Sequence, residues 1–282
     1  MEITVLDHSS VLSILPDRDN DSHKGTYGKI LLLCGSRGYT GAAALAAMGA
    51  LRTGAGLVYL GVPESIYEIE AVKLTEPVIL PLNDDHGTYS VCAVSQVLSL
   101  LAGKDAVLIG PGIGQSEGTK AIVHAVLDNF DGPVVLDADG INVLKSHKDI
   151  LRSRTSPTIL TPHDGEFKRF GGVITEDRVG SAANFAIEHG VILLLKGHRT
   201  IITDGNRTYL NHSGNPGMAT GGSGDVLVGI ITSLLGQGIP ALEAAACGAW
   251  LHGAAGDICA EEIGQHGMLP SDMLDVLPRL LK

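Results

Sequence analysis

The chain has 282 residues with 20 Lys and Arg against 31 Asp and Glu, and the resulting net charge of −11 repels nucleic-acid phosphates and anionic membrane surfaces. Neither a nucleic acid polymer nor a membrane is an expected partner, whereas an anionic small ligand is, because N–H groups at helix starts bind phosphate without a basic protein around them. Aromatic residues are scarce while Gly, Ala, Val, Ile and Leu are plentiful, a bias toward parallel strands and closely packed helices, and the length suits one α/β domain over 1–282.

In chain order, the opening MEITVLDHSS has neither a basic leader nor an apolar stretch. No later apolar run approaches the ~20 residues that a bilayer span needs. A cytoplasmic protein is expected, in which the glycosylation patterns at Asn20, Asn206 and Asn211 carry no meaning. Lys29 to Cys34 reads as a buried strand, followed by an Ala-rich helix from Gly41 to Thr53 with Leu45, Met48 and Leu51 at helical spacing. Further strands are expected at Leu57 to Val62, Ala106 to Ile109, Val134 to Asp137, Thr158 to Leu160 and Val191 to Lys196, with helices at Ser90 to Ala102 and Gly118 to Phe130. This alternation implies right-handed crossovers in a mostly parallel sheet. Thr200 to Asp204 and Thr208 to Asn211, joined through Gly205 and Asn206, read as an antiparallel hairpin. The final third is helical, with Ser223 to Gln237 and Ala241 to Ile263 as its long elements. Cys34, Cys92, Cys247 and Cys259 lack CxxC spacing and read as buried free thiols.

The segment from Gly214 to Ile231, GNPGMATGGSGDVLVGII, is the most informative. Its glycines permit left-handed backbone, and an apolar helical pattern starts near Ser223. The first N–H groups of a helix have no partner inside it and sit at the positive end of the dipole. Gly222, Ser223 and Gly224 are thus candidates for an anion hole around a transferring phosphoryl group. Asp225, in the first turn, is a candidate base for a substrate hydroxyl. An acidic residue there also stabilises a helix with no chemistry attached, and the segment alone leaves both readings open. No GxxxxGK[ST] occurs, GGSGD is not a GxSxG elbow, and GPGIG does not make GxGxxG.

Six segments appear in one order along nearly the whole chain: GKILLLCGSRGYTGAAALAAMGALRTGAGLV, GPGIG, VLDADGIN, LTPHDGEF, LLKGHRTIITDG and NPGMATGGSGDVLVGII. Together they resemble the ADP- or ATP-dependent NAD(P)H-hydrate dehydratase family, the carbohydrate-kinase-like half of a bifunctional repair protein in the ribokinase-like superfamily. The resemblance implies a three-layer sandwich, a mostly parallel central sheet with helices on both faces. It implies that Ala42, Ala43, Gly112, Gly114 and His163 face the hydrate together with Asp225. Lys196, Gly197, His198, Arg199, Thr200, Asn215 and Gly224 are implied to bind the adenine nucleotide. Asp137 and Asp139, at the end of a buried strand where open α/β sheets bind ligands, are candidates to hold Mg²⁺ through water, and the resemblance implies that Glu166 orders magnesium-bound water.

Each residue also has a plainer reading. Ala42 and Ala43 fit a small-residue helix packed on a sheet, and GPGIG an ordinary strand-to-helix turn. Asp139 fits an N-cap, Glu166 a capping residue near Thr161 and Pro162, and Lys196 a solvated strand end. Asn142 is a further candidate polar contact. Where many family members carry proline, this chain has Thr40 and Asp164, a departure that bears on loop rigidity.

The implied reaction phosphorylates the hydroxyl of the S-epimer of hydrated NADH or NADPH and then expels phosphate, regenerating NAD(P)H and releasing AMP or ADP. It implies a homotetramer, with the apolar C-terminal helices around Trp250 and Leu251 as either interface or core, and cooperation with a separate epimerase. Two other readings are a kinase of the same superfamily acting on a vitamin precursor such as hydroxyethylthiazole, and a nucleotide sensor without turnover. LTPHDGEF and GPGIG favour the dehydratase over the first, and the intact GSGD argues against the second.

Overall fold

The computed structural model describes residues 2–281. β1 (Glu2–Val5) and α1 (His8–Ile14) lead into β2 (Lys29–Leu33), α2 (Thr40–Arg52), β3 (Leu57–Pro63), α3 (Glu64–Lys73) and β4 (Val78–Leu82). A short hairpin of β5 (Asp84–Asp85) and β6 (Thr88–Tyr89) precedes α4 (Ala93–Leu100), β7 (Ala106–Ile109) and α5 (Glu117–Asn129). Then come β8 (Val134–Leu136), α6 (Asp139–Asn142), α7 (Asp149–Ser153), β9 (Thr158–Leu160), α8 (Asp164–Arg169), α9 (Arg178–His189) and β10 (Ile192–Leu195). The chain finishes with β11 (Thr200–Thr203), β12 (Arg207–Asn211), α10 (Ser223–Gly236), α11 (Ala241–Glu262) and α12 (Pro270–Leu280).

Ten strands form one sheet in the order β1-β12-β11-β10-β9-β8-β7-β2-β3-β4. β11 is antiparallel to both neighbours, and the remaining pairings of that sheet are parallel. Leu33, Ile109, Leu136, Leu160 and Leu193 pair in sequence across five strands, which brings the carboxyl ends of β2, β7, β8, β9 and β10 side by side. That edge is where open α/β sheets bind ligands.

Successive strand residues point to opposite faces. Ile30 and Leu32 accordingly enter a core with α2, α10 and α11, while Leu31 and Leu33 enter a second core with α5, α8 and α9. The result is the expected three-layer sandwich. The Gly and Ala content has its use between α2 and α10. A Cβ at Gly229 would clash with the Ala46 carbonyl, and one at Gly49 would come within 2.7 Å of the Val226 carbonyl. The two helices thus pack backbone to backbone, which fixes the start of α10 against the sheet.

The expected strands, the hairpin and the long helices all form, within a few residues of their anticipated ends. The two edge strands were not anticipated. β4 contains Pro81, which lacks an N–H donor and is tolerated because β4 has a neighbour on one side alone. α12 carries Pro270 at its start and Pro278 in its last turn, which hides it from a periodicity reading. One expectation is corrected: Cys92 is exposed, because it precedes α4 on the surface. Of the two readings left open for α11, Leu251 takes the core one, fully buried, while Trp250 is half-buried against that core and stacks on His8 with ring centroids 5.3 Å apart. Among the described residues, no helix is long and apolar enough to cross a membrane.

Candidate active site

Asp137 follows β8, Thr161 and His163 follow β9, and Lys196 follows β10, so the sheet register alone places these side chains together. Lys196 Nζ lies 2.8 Å from Asp137 Oδ1, to which Thr161 Oγ1 also donates at 2.7 Å, and 3.9 Å from Glu166 Oε2. The Lys196 main chain is held on both sides, its N–H donating to Pro162 O and its carbonyl accepting from Arg178 Nη2. Burial pulls the ammonium pKa down, but the charges of Asp137, Glu166 and Asp225 outweigh it and leave Lys196 above its ordinary value. Lys196 is therefore a fixed cation at neutral pH.

The start of α10 closes over this ion pair. Gly222 caps the helix at φ 97°, a left-handed conformation suited to glycine, and a Cβ at Gly224 would sit 3.4 Å from Lys196 Nζ and 4.0 Å from Asp137 Oδ2. No side chain caps α10. Asp225 N–H donates to Gly222 O, and Ser223 N–H makes a long 3.4 Å bond to Thr220 O. Among the described residues, the amides of Gly222 and Gly224 find no protein acceptor, nor does that of Gly221, which had not been anticipated. Of the three expected donors, Ser223 is partly committed and the two glycines are free to meet an anion.

Burial pushes the Asp225 carboxyl up to about 6, assisted by the charge of Asp137 and opposed by Lys196. A base with that pKa is ionised at neutral pH and close enough to it to exchange protons readily. Ser223 Oγ lies 3.2 Å from Nε2 of His252, a buried ring whose pKa is pulled down to about 4 by burial and by the charge of Lys196, against a hydrogen bond to the Ser223 backbone. His252 is thus neutral and steadies the Ser223 hydroxyl.

A cavity of about 820 Å³ opens beside these groups. Lys196, Gly197, His198, Arg199, Thr200, Asn215 and Gly224, the whole expected nucleotide set, line it together with Ser223, with Met218, Ala219 and Thr220 from the Gly217 to Thr220 stretch expected to shape the nucleotide cleft, and with Leu227, which had not been anticipated. The turn carrying Asn215 is anchored by α11. Asp257 accepts from Gly214 N–H at 2.8 Å and from Asn215 Nδ2 at 3.0 Å, while Asn215 Oδ1 accepts from Gly217 N–H. Asp257 lies 42 residues from Asn215 and no local pattern marks it.

His163 lines the same cavity, although it had been expected against the hydrate. His163 and Glu166 form a capping box on α8: Nδ1 accepts from Gly165 N–H at 3.0 Å and Glu166 N–H at 3.4 Å, and Glu166 Oε2 accepts from His163 N–H at 3.0 Å. The capping reading of Glu166 thus holds beside its place near Lys196. Among the described residues, no three His, Cys, Asp or Glu side chains converge as a metal cage. Asp137 and Glu166, already engaged by protein donors, suit water-mediated contact with an ion carried on phosphate oxygens, the way Mg²⁺ is commonly held.

The hydrate-facing set is assembled at β7 and β2. Gly110, at φ 142°, brings the GPGIG turn backbone to backbone against Asp137, where a side chain would clash with the Asp137 carbonyl. Gly112, at φ 65°, packs on Tyr39 and Ala42, so two predicted neighbours do meet. Ala43 is a correction: it is fully buried beneath Gly35 in the core, because it falls on the inner face of α2. Gly114 offers no free N–H, since that group donates to Asp139 Oδ2 at 3.1 Å. Asp139 in turn is not the N-cap of α6. Ala138 holds that position at φ 47°, which frees the Asp139 carboxylate to accept from Gln115 Nε2 and Asn142 Nδ2 as well. The two departures from the family's prolines are both anchored, Thr40 Oγ1 by Lys73 Nζ at 2.6 Å and Asp164 Oδ1 by Arg178 Nη2 at 2.5 Å.

The bifunctional NAD(P)H-hydrate repair enzyme Nnr of Moorella thermoacetica is 46% identical over 277 residues, covering 96% of this chain and 52% of its own length. The chain thus spans about half the length of the first curated relatives it matches. The ADP-dependent (S)-NAD(P)H-hydrate dehydratase of Bacillus subtilis is 35% identical over 100% of this chain and 99% of its own. A crystal structure of the ADP/ATP-dependent NAD(P)H-hydrate dehydratase of Bacillus subtilis, grown with ATP and Mg²⁺, superposes with a TM-score of 0.86 at 34% identity, covering 97% of this chain and 96% of that one. A hydroxyethylthiazole kinase from Pyrococcus horikoshii, at 18% identity and a TM-score of 0.64, shares the fold alone. A family profile described as NAD(P)H-hydrate dehydratase matches residues 30–279, and the chain belongs to that family.

Proposed function

We propose that this chain dehydrates the S-epimer of hydrated NADH or NADPH at the expense of ADP or ATP, acting as a hydro-lyase of metabolite repair. The observation that carries the reading is the presence in one helix turn of an Asp225 carboxyl raised to about 6 and the acceptor-free amides of Gly222 and Gly224, with Gly224 itself in the wall of a cavity lined by Lys196 to Thr200. The adenine nucleotide occupies that cavity, its terminal phosphate against the glycine amides and Lys196. Asp225 accepts the proton of the ring hydroxyl as its oxygen attacks that phosphate, and the bond to the leaving AMP or ADP breaks. Gly222 and Gly224 meet the charge on the transferring group. The ring nitrogen then pushes electrons toward the carbon, the C–O bond breaks with its pair on phosphate, and loss of a neighbouring proton restores the reduced ring.

Asp137 and Glu166 would hold Mg²⁺ through water, and the ion would supply neutralisation of nucleotide phosphate charge. Ala42, Gly112 and His163 border the hydrate. Residues 1–282 work as one folded domain, in the cytoplasm and as a homotetramer, beside an epimerase activity that interconverts the hydrate epimers. Incubation with hydrated NADH, Mg²⁺ and either ADP or ATP should restore the reduced-nicotinamide absorbance with one phosphate released per cofactor. Absence of recovery with both nucleotides overturns the reading.

A further inference from the structure

The cavity wall from Lys196 to Thr200 is backed by Arg178, at the first position of α9. Asp177 caps that helix by accepting from Gly180 N–H at 2.8 Å, which fixes where α9 starts and hence the root of the Arg178 side chain. Nη2 of Arg178 carries two hydrogens and has two acceptors, Asp164 Oδ1 at 2.5 Å and the Lys196 carbonyl at 3.0 Å. The same guanidinium lies against Gly197, where a Cβ would meet Nη2 at 3.1 Å and where φ is 152°, in the region that favours glycine. A fixed cation therefore rests on the peptide between Lys196 and Gly197.

Beyond that peptide the wall closes on itself. Thr200 Oγ1 accepts from Gly197 N–H at 3.3 Å and donates to Gly197 O at 2.9 Å. Arg178 ties this closed loop to α9 and, through Asp164, to the first turn of α8, whose cap His163 lines the same cavity. Little in the arrangement favours folding. A cation at the first position of a helix opposes the dipole, and α9 has no acidic residue in its first turn. The Asp164 carboxylate is half exposed, so its ion pair with Arg178 contributes little stability. Nη1 is buried without a hydrogen-bond partner among the described residues, which is a further cost. What these costs secure is a single orientation of the Lys196–Gly197 peptide.

We propose that Arg178 is a positioning residue for the adenine nucleotide: it sets the peptide from which Lys196 and Gly197 face the cavity, and Asp164 sets Arg178. This assignment rests on the proposed reading that the cavity holds ADP or ATP, and adds what keeps its wall in place. It also gives the site a sensitivity. Because Asp164 is open to solvent, salt screens its hold on Arg178, and nucleotide affinity carries that dependence.

The test measures ADP binding by calorimetric titration with Mg²⁺ and without the hydrate, and then KM and kcat for dehydration. Arg178→Gln should weaken ADP and raise its KM about tenfold, the loss expected of a hydrogen bond from a charged group, while kcat and the hydrate KM stay within about threefold. Arg178→Lys, whose compact ammonium serves one partner in place of two, should lose about threefold and keeps the test alive if the glutamine variant does not fold. Asp164→Asn retains an oxygen for Nη2 without the charge, so lowering the salt should tighten ADP about threefold more in the wild type than in this variant. Unchanged ADP affinity in both Arg178 variants overturns the assignment. A loss shared equally by kcat, the ADP KM and the hydrate KM also overturns it, by marking a general distortion. An identical salt response in wild type and Asp164→Asn overturns the role of Asp164. Wild-type protein that binds ADP in this Arg178-dependent way but never dehydrates the hydrate would sink the proposed function and leave the positioning role standing.

Discussion

Along the carboxyl edge of the sheet, the stretch from β8 to β10 is tied together by buried side chains, with Asp137 held at once by Lys196 and Thr161. The stretch from β7 to β3 is instead shaped by glycines and by loop side chains that keep one face to solvent, Gly112 and Arg37 among them. The first arrangement holds charges at fixed positions, which electrostatic stabilisation of a transferring group requires. The second leaves a wide opening with few obligations, which suits recognition of a long substrate. On the proposed function, chemistry and substrate recognition fall to different stretches of one edge, and substitutions in the two should fail differently.

The largest effect is expected from Asp225→Asn, which keeps the shape and removes the base: dehydration should fall by about 10²–10⁴ while ADP still binds. Turnover within tenfold of wild type would remove Asp225 from the mechanism. In the wild type, because the folded-state pKa is raised to about 6, the base form is lost as pH falls through that value, and kcat/KM should drop about tenfold per unit below it. Next, Lys196→Met leaves the Asp137 carboxylate buried without its cation, and urea unfolding should show a loss of about 3 kcal/mol, largely regained when Asp137→Asn is added.

Gly112→Ala tests the other stretch. It places a methyl group 2.8–2.9 Å from Tyr39 and Ala42 at a left-handed φ, so the hydrate KM should rise while the ADP KM holds, at a stability loss of about 1–3 kcal/mol. Equal changes in both KM values would erase the distinction between the stretches. Asp257→Ala frees the Asn215 turn from α11 and should raise the ADP KM about tenfold with little change in kcat, the pattern of a positioning residue. The smallest effect is a gain. Because folding disfavours the ionised Asp225, the Asn variant should be about 1 kcal/mol more stable above pH 6, with the gain fading as pH falls toward the ordinary carboxylate value and both states become protonated.

The buried parallel strands were legible because runs such as ILLL at 192–195 are apolar on both faces, and both faces are covered. Edge strands were not, since β1 and β4 are half exposed and Pro81 interrupts the pattern. Lys196 to Thr200 were legible as one group because they are consecutive and share one strand end, and all five line the same cavity. Asp257 and Arg178 left no such trace: their partners come from other segments of the chain, brought together by the fold. Asp139 shows a subtler limit. A helix start was correctly expected there, but the unusual backbone of Ala138 moved the cap by one residue and turned the carboxylate onto the GPGIG turn.

The capping box on α8 settles where His163 carries its proton. Nδ1 receives two backbone N–H groups, so a neutral ring holds its hydrogen on Nε2, the nitrogen on the other side of the ring. Toward any ligand in the cavity His163 is consequently a donor and not an acceptor, for as long as α8 keeps its first turn. On the proposed function, that leaves proton removal to the carboxylate at the head of α10 and gives this histidine the work of holding an oxygen in place.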